Sequence, residues 1–401
     1  MGMASTLIIN PGSSSKKYAL YQNDREVLRV AVEQTNSGVT YQANVGGGWQ
    51  KEASISETDY AAALERVLET AVTERCITSR ADITAVGLRV VAPGERWQRH
   101  QLFTDELRVA LESVVATAPL HIPPILQEFS VVKNVLPEVS VVAVSDSAFH
   151  STLPAVASEY SIDQELAREH SIKRYGYHGI SVASVMRQLG AIGIPTTRRA
   201  IVCHIGSGVS VTAVLDGESI DTTMGYSPGS GVVMASRSGD LDTGALLELM
   251  RQRNWDVAAA QKFLQTQSGL RGLAGESDIR HLLERSASGD RVATSALSLF
   301  SYHIRKQIGA MAAALGGVDV VVCTATVGSR SPELRAQILT PLQDLGITID
   351  TDKNDQAIDK KLVISPDNAA VTVAVIPTDE LREMALVTTQ VCAVSVRDSQ
   401  D

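Results

Sequence analysis

Cysteine is scarce in this sequence, and the few that occur are far apart. Four cysteines are spread over 401 residues, and no two of them form a CxxC pair. This spacing argues against a disulfide framework and against a zinc ribbon, and it is typical of proteins in the reducing cytoplasm. The four residues are Cys76, Cys203, Cys323 and Cys392.

Long hydrophobic segments and an excess of basic residues are missing as well. No run of about 18 apolar residues is available to span a bilayer, and the first residues lack the basic region and apolar core of a signal peptide. The 45 acidic residues outnumber the 36 basic ones, for a net charge of −9. That balance argues against non-specific binding to nucleic acid. We therefore predict a soluble cytoplasmic protein that has neither a nucleic acid nor a membrane as its partner.

Two common nucleotide-binding fingerprints are absent too. The sequence contains no GxxxxGK[ST] P-loop, and no GxGxxG motif follows a strand and opens a helix. Any phosphate-binding site must therefore use other turns of the chain.

What is present is an alternation of β-rich runs with segments of helical periodicity, which indicates an α/β fold. A length of 401 residues favours about two domains. Strands are predicted at 6–10, 18–21, 83–91, 141–145, 199–204, 210–215, 318–323 and 371–376. Helices are predicted at 60–73, 105–116, 123–135, 182–189, 242–251, 255–268, 279–285, 291–315 and 331–345.

One local plan occurs twice. LIINPGSSS, from Leu7, and IVCHIGSGVS, from Ile201, are each an apolar strand followed by a Gly/Ser turn and a return strand. Such turns can direct backbone amides at phosphate oxygens. The repeat predicts a duplicated domain, with a turn from each half facing a shared cleft. We place an N-terminal domain at 1–150, joined by the C-terminal segment 380–401, and a nucleotide-binding domain at 151–379.

Two arginines occupy unusual positions. Arg89 interrupts the apolar run GLRVV, and a buried strand arginine needs a carboxylate or an anionic ligand beside it. A surface position on an edge strand is the alternative. Arg237 lies in the tight loop SRSGDLD before a predicted helix, where a solvated cap with Asp242 at the helix start is the alternative.

A carboxylate and two histidines complete the polar candidates. Asp146 follows the apolar strand VVAVS, at the edge where α/β sheets collect ligands and metal ions; a helix N-cap is the alternative. His121 is bracketed by prolines in APLHIPP, and His178 lies between glycines in YGYHG, with a structural role as the alternative for both. Without a strong nucleophile, this inventory fits phosphoryl transfer, which mainly requires the positioning and neutralisation of phosphoryl oxygens.

Nine motifs in sequence resemble those of the acetate kinase family and its propionate and butyrate kinase relatives. They run from about residue 7 to residue 385 and read NPGSSSKKY, GLRVV, APLHIPP, SDSAFHSTLP, KRYGYHG, CHIGSGVSVTAVLDGESIDTTMG, MASRSGDLDTG, SGLRGLAGESDIR and IPTDE. The resemblance implies the fold of sugar kinases, heat-shock proteins and actin, in which two similar ribonuclease-H-like α/β domains enclose a nucleotide cleft. It also implies reversible in-line phosphoryl transfer between ATP and acetate or propionate, with Mg²⁺ or Mn²⁺, in a homodimer.

The resemblance also implies roles for individual residues. The implied catalytic residues are Asn10, Arg89, Asp146, His178 and Arg237, of which the arginines neutralise charge and His178 donates to a phosphoryl oxygen. The implied metal ligands are Asn10, Asp146 and Glu380, and His121 supports the transition state. The acyl pocket is formed by Val91, Leu120, Tyr177 and Pro228. The implied nucleotide or phosphate contacts are Ser13, Ser15, Lys17, His204, Gly206, Ser207, Gly208, Asp278, Arg280 and Gly328.

Four departures from the family pattern affect these implied roles. A His-Gly-Gly run is replaced by Ala92-Pro93-Gly94, and the asparagine of the phosphate turn is replaced by Ser207. Tyr177 replaces a phenylalanine, and its hydroxyl needs a partner and favours a more polar or differently sized acid. The adenosine loop Gly-Gly-Ile-Gly-Glu-Asn-Ser is matched by residues 325–331, which read ATVGSRS.

The changed adenosine loop leaves several interpretations open. Either the nucleotide base is bound differently, or Arg330 faces a phosphate of another donor such as pyrophosphate, or nucleotide affinity has been lost. The corresponding functions are an active short-chain carboxylate kinase, a kinase with an altered donor or acid, and a non-catalytic nucleotide or metabolite sensor.

Overall fold

The computed structural model describes residues 3–12, 15–35, 38–56, 60–196 and 198–398, and the chain divides into two compact units. One unit comprises the residues up to Ala148 and those from Asp379 onward, and the other is Phe149–Thr378. The strands are β1 (Ser5–Pro11), β2 (Ser15–Gln22), β3 (Arg25–Thr35), β4 (Gly38–Val45), β5 (Trp49–Ile55), β6 (Ile83–Val90), β7 (Gln101–Leu102), β8 (Ser140–Ser145), β9 (Ala200–Ile205), β10 (Val209–Leu215), β11 (Glu218–Thr222), β12 (Val320–Thr324), β13 (Leu362–Val363) and β14 (Thr372–Val375).

The α-helices connect and cover these strands. They are α1 (Ala63–Thr73), α2 (Asp105–Glu112), α3 (Ile122–Val135), α4 (Ala155–Ser158), α5 (Gln164–Glu169), α6 (Gly179–Ala191), α7 (Thr243–Arg253), α8 (Val257–Thr266), α9 (Gly269–Ala274), α10 (Ile279–Ala287), α11 (Arg291–Ala314), α12 (Ala325–Arg330), α13 (Pro332–Leu339), α14 (Thr351–Gln356) and α15 (Glu380–Asp398). Within the ranges given above, no helix has both the length and the apolar character needed to cross a membrane.

The first unit is built on an eight-stranded sheet in the order β5-β4-β3-β2-β1-β6-β8-β7. Side chains alternate between the faces of a strand. On one face, Leu7 and Leu88 join a core that includes Phe129 of α3. The other face receives α15, and a side chain at Gly87 would collide with Thr388 of that helix. The glycine in β6 therefore allows the C-terminal helix to approach the sheet closely.

The second unit has a six-stranded sheet in the order β11-β10-β9-β12-β14-β13. The central strands are almost continuously buried, as expected when both faces of a parallel sheet are covered. Helix α6 places Val182, Val185 and Leu189 against Val202 and Val322 of this sheet.

The two sheets share one topology. In the order β3-β2-β1-β6-β8, the first two neighbouring pairs of strands are antiparallel and the last two pairs are parallel. The order β11-β10-β9-β12-β14 has the same sequence of antiparallel and parallel pairs. The predicted α/β class and the predicted repeat of a strand–turn–strand hairpin are thus confirmed, since β1–β2 and β9–β10 are the two hairpins.

Several elements differ from the sequence-based predictions. Strands β3, β4 and β5 were not predicted, because their short alternating patterns, such as GVTYQANV, contain few strongly apolar residues. The helix predicted at 331–345 is a short α-helix followed by a 3₁₀ segment, Thr340–Leu345, at Pro341. Helix α15 was not predicted, and its position is determined by packing on β1, β6 and β8.

Candidate active site

The first group of candidate residues lies at the carboxyl ends of three strands. β1 is parallel to β6, and β6 is parallel to β8. Asn10 is near the end of β1, Arg89 is near the end of β6, and Asp146 directly follows β8. Parallel strands end at the same edge of a sheet, so this topology brings three distant sequence positions together.

Arg89 and Asp146 form a two-pronged ion pair. The Nε and Nη2 atoms of Arg89 donate to the two carboxylate oxygens of Asp146, at 3.2 and 3.0 Å. Asp146 is 1% exposed and the Arg89 side chain 19%. Burial disfavours the charged guanidinium, but Asp146 and then Glu380 outweigh it and raise the pKa of Arg89. The arginine is thus permanently charged and partly open to solvent.

Asn10 connects this pair to the C-terminal helix. Its side-chain oxygen accepts a hydrogen bond from Arg89 Nη1 at 3.2 Å, and its Nδ2 donates to Glu380 Oε2 at 3.4 Å. Glu380 is the first residue of α15, where a negative charge is favoured by the helix dipole. Four of the sequence-predicted residues therefore form one connected polar cluster.

This cluster fits a hard divalent cation. It offers two carboxylates and an amide oxygen, the ligands that Mg²⁺ combines with water and phosphate oxygens. In the part of the chain that the structure describes, no group of three or more His, Cys, Asp and Glu residues could hold a metal. A zinc-type site made of nitrogen and sulfur ligands is thus not found among those residues.

A histidine that the sequence analysis did not select lies beside the cluster. His100 Nδ1 accepts a hydrogen bond from the backbone N–H of Ser145, at 3.1 Å. Burial lowers the pKa of His100 to about 4, against the opposing charges of Glu383 and Asp146. His100 is therefore neutral near pH 7, and it holds the end of β8 from which Asp146 projects.

The remaining candidates of this unit lie at the ends of strands and helices or within strand β2. Val91 is buried one residue past β6, while Leu120 and His121 directly precede α3 and are half-buried. Ser15 opens β2, and Lys17 of the same strand is exposed. Ser13 lies outside the described residues.

The second group of candidates surrounds the Gly206–Gly208 turn in the other unit. His178 is the N-cap of α6, and its ring stacks on that of His204 with the centroids 3.9 Å apart. The Nδ1 atom of each ring is hydrogen-bonded to a serine hydroxyl. His178 Nδ1 lies 3.0 Å from Ser210 Oγ, and His204 Nδ1 lies 2.8 Å from Ser181 Oγ.

Arg237 approaches the same turn. A Cβ at Gly208 would lie 2.9 Å from His178 Nε2 and 3.3 Å from Arg237 Nη2, so both side chains border this glycine. A Cβ at Gly206 would lie 3.6 Å from His204 Nε2. The turn thus leaves its backbone accessible beside two imidazoles and a guanidinium, an arrangement suited to an anion. Ser207 is exposed between the glycines.

Tyr177 is buried next to His178, and its hydroxyl is used within the unit. The phenol donates to the backbone carbonyl of Tyr226 at 2.7 Å, and the side chain is 1% exposed. Two residues further on, the carbonyl of Pro228 accepts a hydrogen bond from Arg237 Nη1 at 2.8 Å. The hydroxyl therefore has a protein partner, which removes the reason to expect it to select a more polar acid.

The predicted nucleotide-side residues take varied positions. Asp278 caps α10 and pairs with the exposed Arg280, whose Nη2 lies 2.6 Å from Asp278 Oδ2. Gly328 is buried in α12, where a Cβ would lie 3.5 Å from Ile205 of β9. That distance is ordinary van der Waals contact, so Gly328 lies directly beside the strand that leads to the Gly206–Gly208 turn.

The divergent segment 325–331, expected as a loop, forms the short helix α12, and two of its side chains pair with Asp359. Arg330 Nε donates to Asp359 Oδ2 at 2.6 Å, and Ser329 Oγ donates to Asp359 Oδ1 at 2.9 Å. Ala325 opens the segment with a φ of +65°, in the left-handed region that favours glycine. Arg330 is thus paired with a carboxylate of its own unit.

Comparison with known proteins agrees with this geometry. The model of the Acetokinase family matches residues 5–387. A protein named acetate kinase from Clavibacter michiganensis is 39% identical over 389 residues, which are 96% of this chain and 98% of that protein. The acetate kinase of Clostridium beijerinckii is 38% identical over 390 residues, covering 93% of this chain and 96% of that protein.

Solved structures give the same result. The acetate kinase of Porphyromonas gingivalis superposes with a TM-score of 0.86 at 32% identity, covering 97% of this chain and 100% of the other. A propionate kinase from Francisella tularensis gives 0.89 at 31% identity, with the same coverage. Fold and sequence thus define a phosphotransferase that has a carboxyl group as its acceptor. The chain belongs to the acetokinase family.

Proposed function

We propose that this protein transfers a phosphoryl group between ATP and acetate or propionate, giving ADP and the acyl phosphate. The observation that carries the proposal is the connected cluster of Asn10, Arg89, Asp146 and Glu380. It combines a fixed cation with carboxylates suited to a metal, the two features that phosphoryl transfer to an anionic acceptor requires.

The chemical step is a single displacement. A carboxylate oxygen of the acid forms a bond to the terminal phosphorus while the bond from that phosphorus to the ADP oxygen breaks. The acid is already ionised near neutral pH, so no general base is needed. Arg89 and Arg237 neutralise the acid and the developing charge on the phosphoryl oxygens, and His178 donates to one of these oxygens.

The divalent cofactor is Mg²⁺, with Mn²⁺ able to replace it. Asp146, Glu380 and Asn10 would hold the ion, which when bound neutralises charge on the phosphate oxygens. Arg89 orients Asp146 by donating to both of its oxygens. His121 supports the transition state.

The nucleotide and its phosphates bind to the glycine turns and the residues near them. Gly206, Ser207 and Gly208 offer backbone amides and a hydroxyl beside His204. Asp278, Arg280 and Gly328 contribute on the nucleoside side, and Ser13, Ser15 and Lys17 of the first motif contact the phosphates.

The residues proposed to contact the acid are Val91 and Leu120 of the first unit and Tyr177 and Pro228 of the second. Because the Tyr177 hydroxyl donates to Tyr226, Tyr177 offers the acyl chain an apolar ring face. We expect small aliphatic acids to be preferred over hydroxy acids of equal size.

Acyl-hydroxamate formation tests the proposal. With Mg²⁺ and ATP, acetate and propionate should give product, and Arg237→Ala should reduce kcat by about 10²-fold or more. The matched control is Arg251→Ala, which removes an exposed arginine paired with Glu248 of its own helix and should leave turnover unchanged. Absence of product from every small aliphatic acid, with folded protein and either metal, would exclude the proposed reaction.

Compartment and assembly are part of the same proposal. We place the enzyme in the cytoplasm as a homodimer; its four unpaired cysteines suit a reducing compartment. Light scattering on the protein as it elutes from a size-exclusion column should give twice the chain mass of 42.8 kDa.

A further inference from the structure

A buried histidine outside the predicted site contacts the backbone beside His178. His150 is 0% exposed, and both of its ring nitrogens have partners. Its Nε2 lies 2.9 Å from the carbonyl oxygen of Tyr177, and its Nδ1 lies 2.8 Å from Ser219 Oγ. Neither the implied roles nor the proposed reaction uses this residue.

The partners determine which nitrogen carries the proton. A backbone carbonyl can only accept, so Nε2 of His150 must donate to Tyr177. In the neutral ring, Nδ1 is then the acceptor, and the hydroxyl of Ser219 donates to it. Ser219 is itself 0% exposed, so the hydrogen bonds select one tautomer and one ring orientation.

The bond from His150 acts directly on the geometry of His178. The carbonyl of Tyr177 and the nitrogen of His178 belong to the same peptide plane. His178 has a φ of +62°, a left-handed conformation that non-glycine residues rarely adopt and that surrounding contacts must maintain. A hydrogen bond to the Tyr177 carbonyl therefore fixes the orientation of the Tyr177–His178 peptide and, with it, helps to maintain the left-handed conformation of His178.

Gly176 makes the approach of His150 possible. It has a φ of +74°, and a Cβ there would lie 2.5 to 2.9 Å from three atoms of the His150 side chain. The turn 175–178 is thus shaped around this imidazole. On the other side of the turn, His178 Nε2 borders Gly208 and the ring is held by Ser210.

We propose that His150 is a positioning residue for His178, with its Nε2–H bond to the Tyr177 carbonyl holding the left-handed His178 so that its Nε2 faces the Gly206–Gly208 turn. This inference rests on the proposed function, in which His178 donates to a phosphoryl oxygen. His150 touches neither substrate nor reacting atoms in this role; it acts through the peptide that precedes His178.

Two substitutions separate the hydrogen bond from the packing. His150→Gln retains an N–H donor near the position of Nε2, and His150→Met fills similar volume without a donor. We expect kcat to fall at least tenfold in His150→Met and less than threefold in His150→Gln, with KM for acid and ATP nearly unchanged in both. His170→Met, at a histidine that is 59% exposed, is the control and should match the parent.

A double-mutant cycle tests whether His150 acts through His178. In a His178→Ala background, His150→Met should lower the residual kcat by less than twofold. Independent, multiplicative losses would overturn the proposal, as would equal losses in the Gln and Met variants. Ser219→Ala, which removes only a hydroxyl, should give a smaller loss that likewise disappears in the His178→Ala background, and it provides the same test if His150→Met does not fold.

A readout independent of turnover separates this inference from the proposed function. If the parent protein makes no acyl hydroxamate, the proposed reaction fails, and the positioning role is then decided by crystal structures of the two His150 variants. The Gln variant should keep the left-handed φ of His178, and the Met variant should show the Tyr177–His178 peptide rotated. An unchanged peptide in the Met variant would overturn the inference.

Discussion

The guanidinium of Arg89 faces the carboxylate of Asp146 across two neighbouring parallel strands, with both carboxylate oxygens within 3.2 Å of an arginine nitrogen. Asp146 is almost fully buried, whereas part of Arg89 is open to solvent. Arg89 therefore pairs with both oxygens of a buried carboxylate, and its loss should remove this charge compensation from Asp146.

Replacing Arg89 with Met should affect both catalysis and stability. We expect kcat to fall by about 10²- to 10³-fold, as for other charge-stabilising groups. Without metal, the melting temperature should drop because Asp146 and Glu380 repel each other. Added Mg²⁺ should raise the melting temperature more in the variant than in the parent. Binding stabilises both folded proteins, and in the variant the ion would also relieve the repulsion between Asp146 and Glu380. Thermal unfolding with and without Mg²⁺ measures this, and an equal metal response in both proteins would contradict it.

Lys16 and Glu128 form a buried ion pair whose role is structural. Lys16 Nζ lies 2.7 Å from Glu128, both side chains are at most 2% exposed, and the hydroxyl of Tyr18 donates to the same carboxylate. Lys16→Met should cost about 3–5 kcal/mol of unfolding free energy, because it leaves a buried charge unpaired. Adding Glu128→Gln should restore most of that loss, since the amide still accepts from Tyr18.

Denaturant unfolding of the single and double variants gives these values. Arg96→Met is the matched control, because it removes an exposed arginine that pairs with the exposed Glu106, and surface pairs of this kind contribute little. If the double variant were less stable than Lys16→Met alone, the buried pair would not be the source of the cost.

Much of the candidate site could be predicted because strand ends and motifs are local features of the sequence. Arg89 and Asp146 were identified from a charge within, and a charge after, an apolar run. The resemblance implied that Lys17 contacts phosphate, yet strand alternation buries its neighbour Lys16 and leaves Lys17 exposed. No local pattern showed which of the two adjacent lysines faces the core.

Contacts between distant segments could not be read from the sequence. Arg330 and Asp359 are 29 residues apart, and neither lies in a pattern that links them. His150 was part of a recognised motif, but its hydrogen bond to Tyr177 depends on how two loops meet. Helix α15 likewise depends on packing against the sheet, which a moderately apolar sequence does not reveal.

Arg330 should contribute little to donor binding if its charge is used by Asp359. The Arg330 side chain is 61% exposed and its partner 41%, so removing the pair should cost little stability and leave the segment folded. We expect Arg330→Gln and Asp359→Asn to change the KM for ATP by less than about threefold, and in parallel. A large rise in the KM for the phosphate donor in Arg330→Gln alone would instead indicate that Arg330 contacts a phosphate.

Ala325 offers a test of backbone strain at the start of α12. It is buried and has a φ of +65°, where an alanine is less stable than a glycine by about 1 kcal/mol. Ala325→Gly should therefore stabilise the protein against denaturant by about that amount. The matched control is Ala336→Gly inside α13, which has ordinary helical geometry and should destabilise by about 1 kcal/mol. If both glycine substitutions lowered stability equally, the strain at Ala325 would be relieved by other contacts and the expected gain would be wrong.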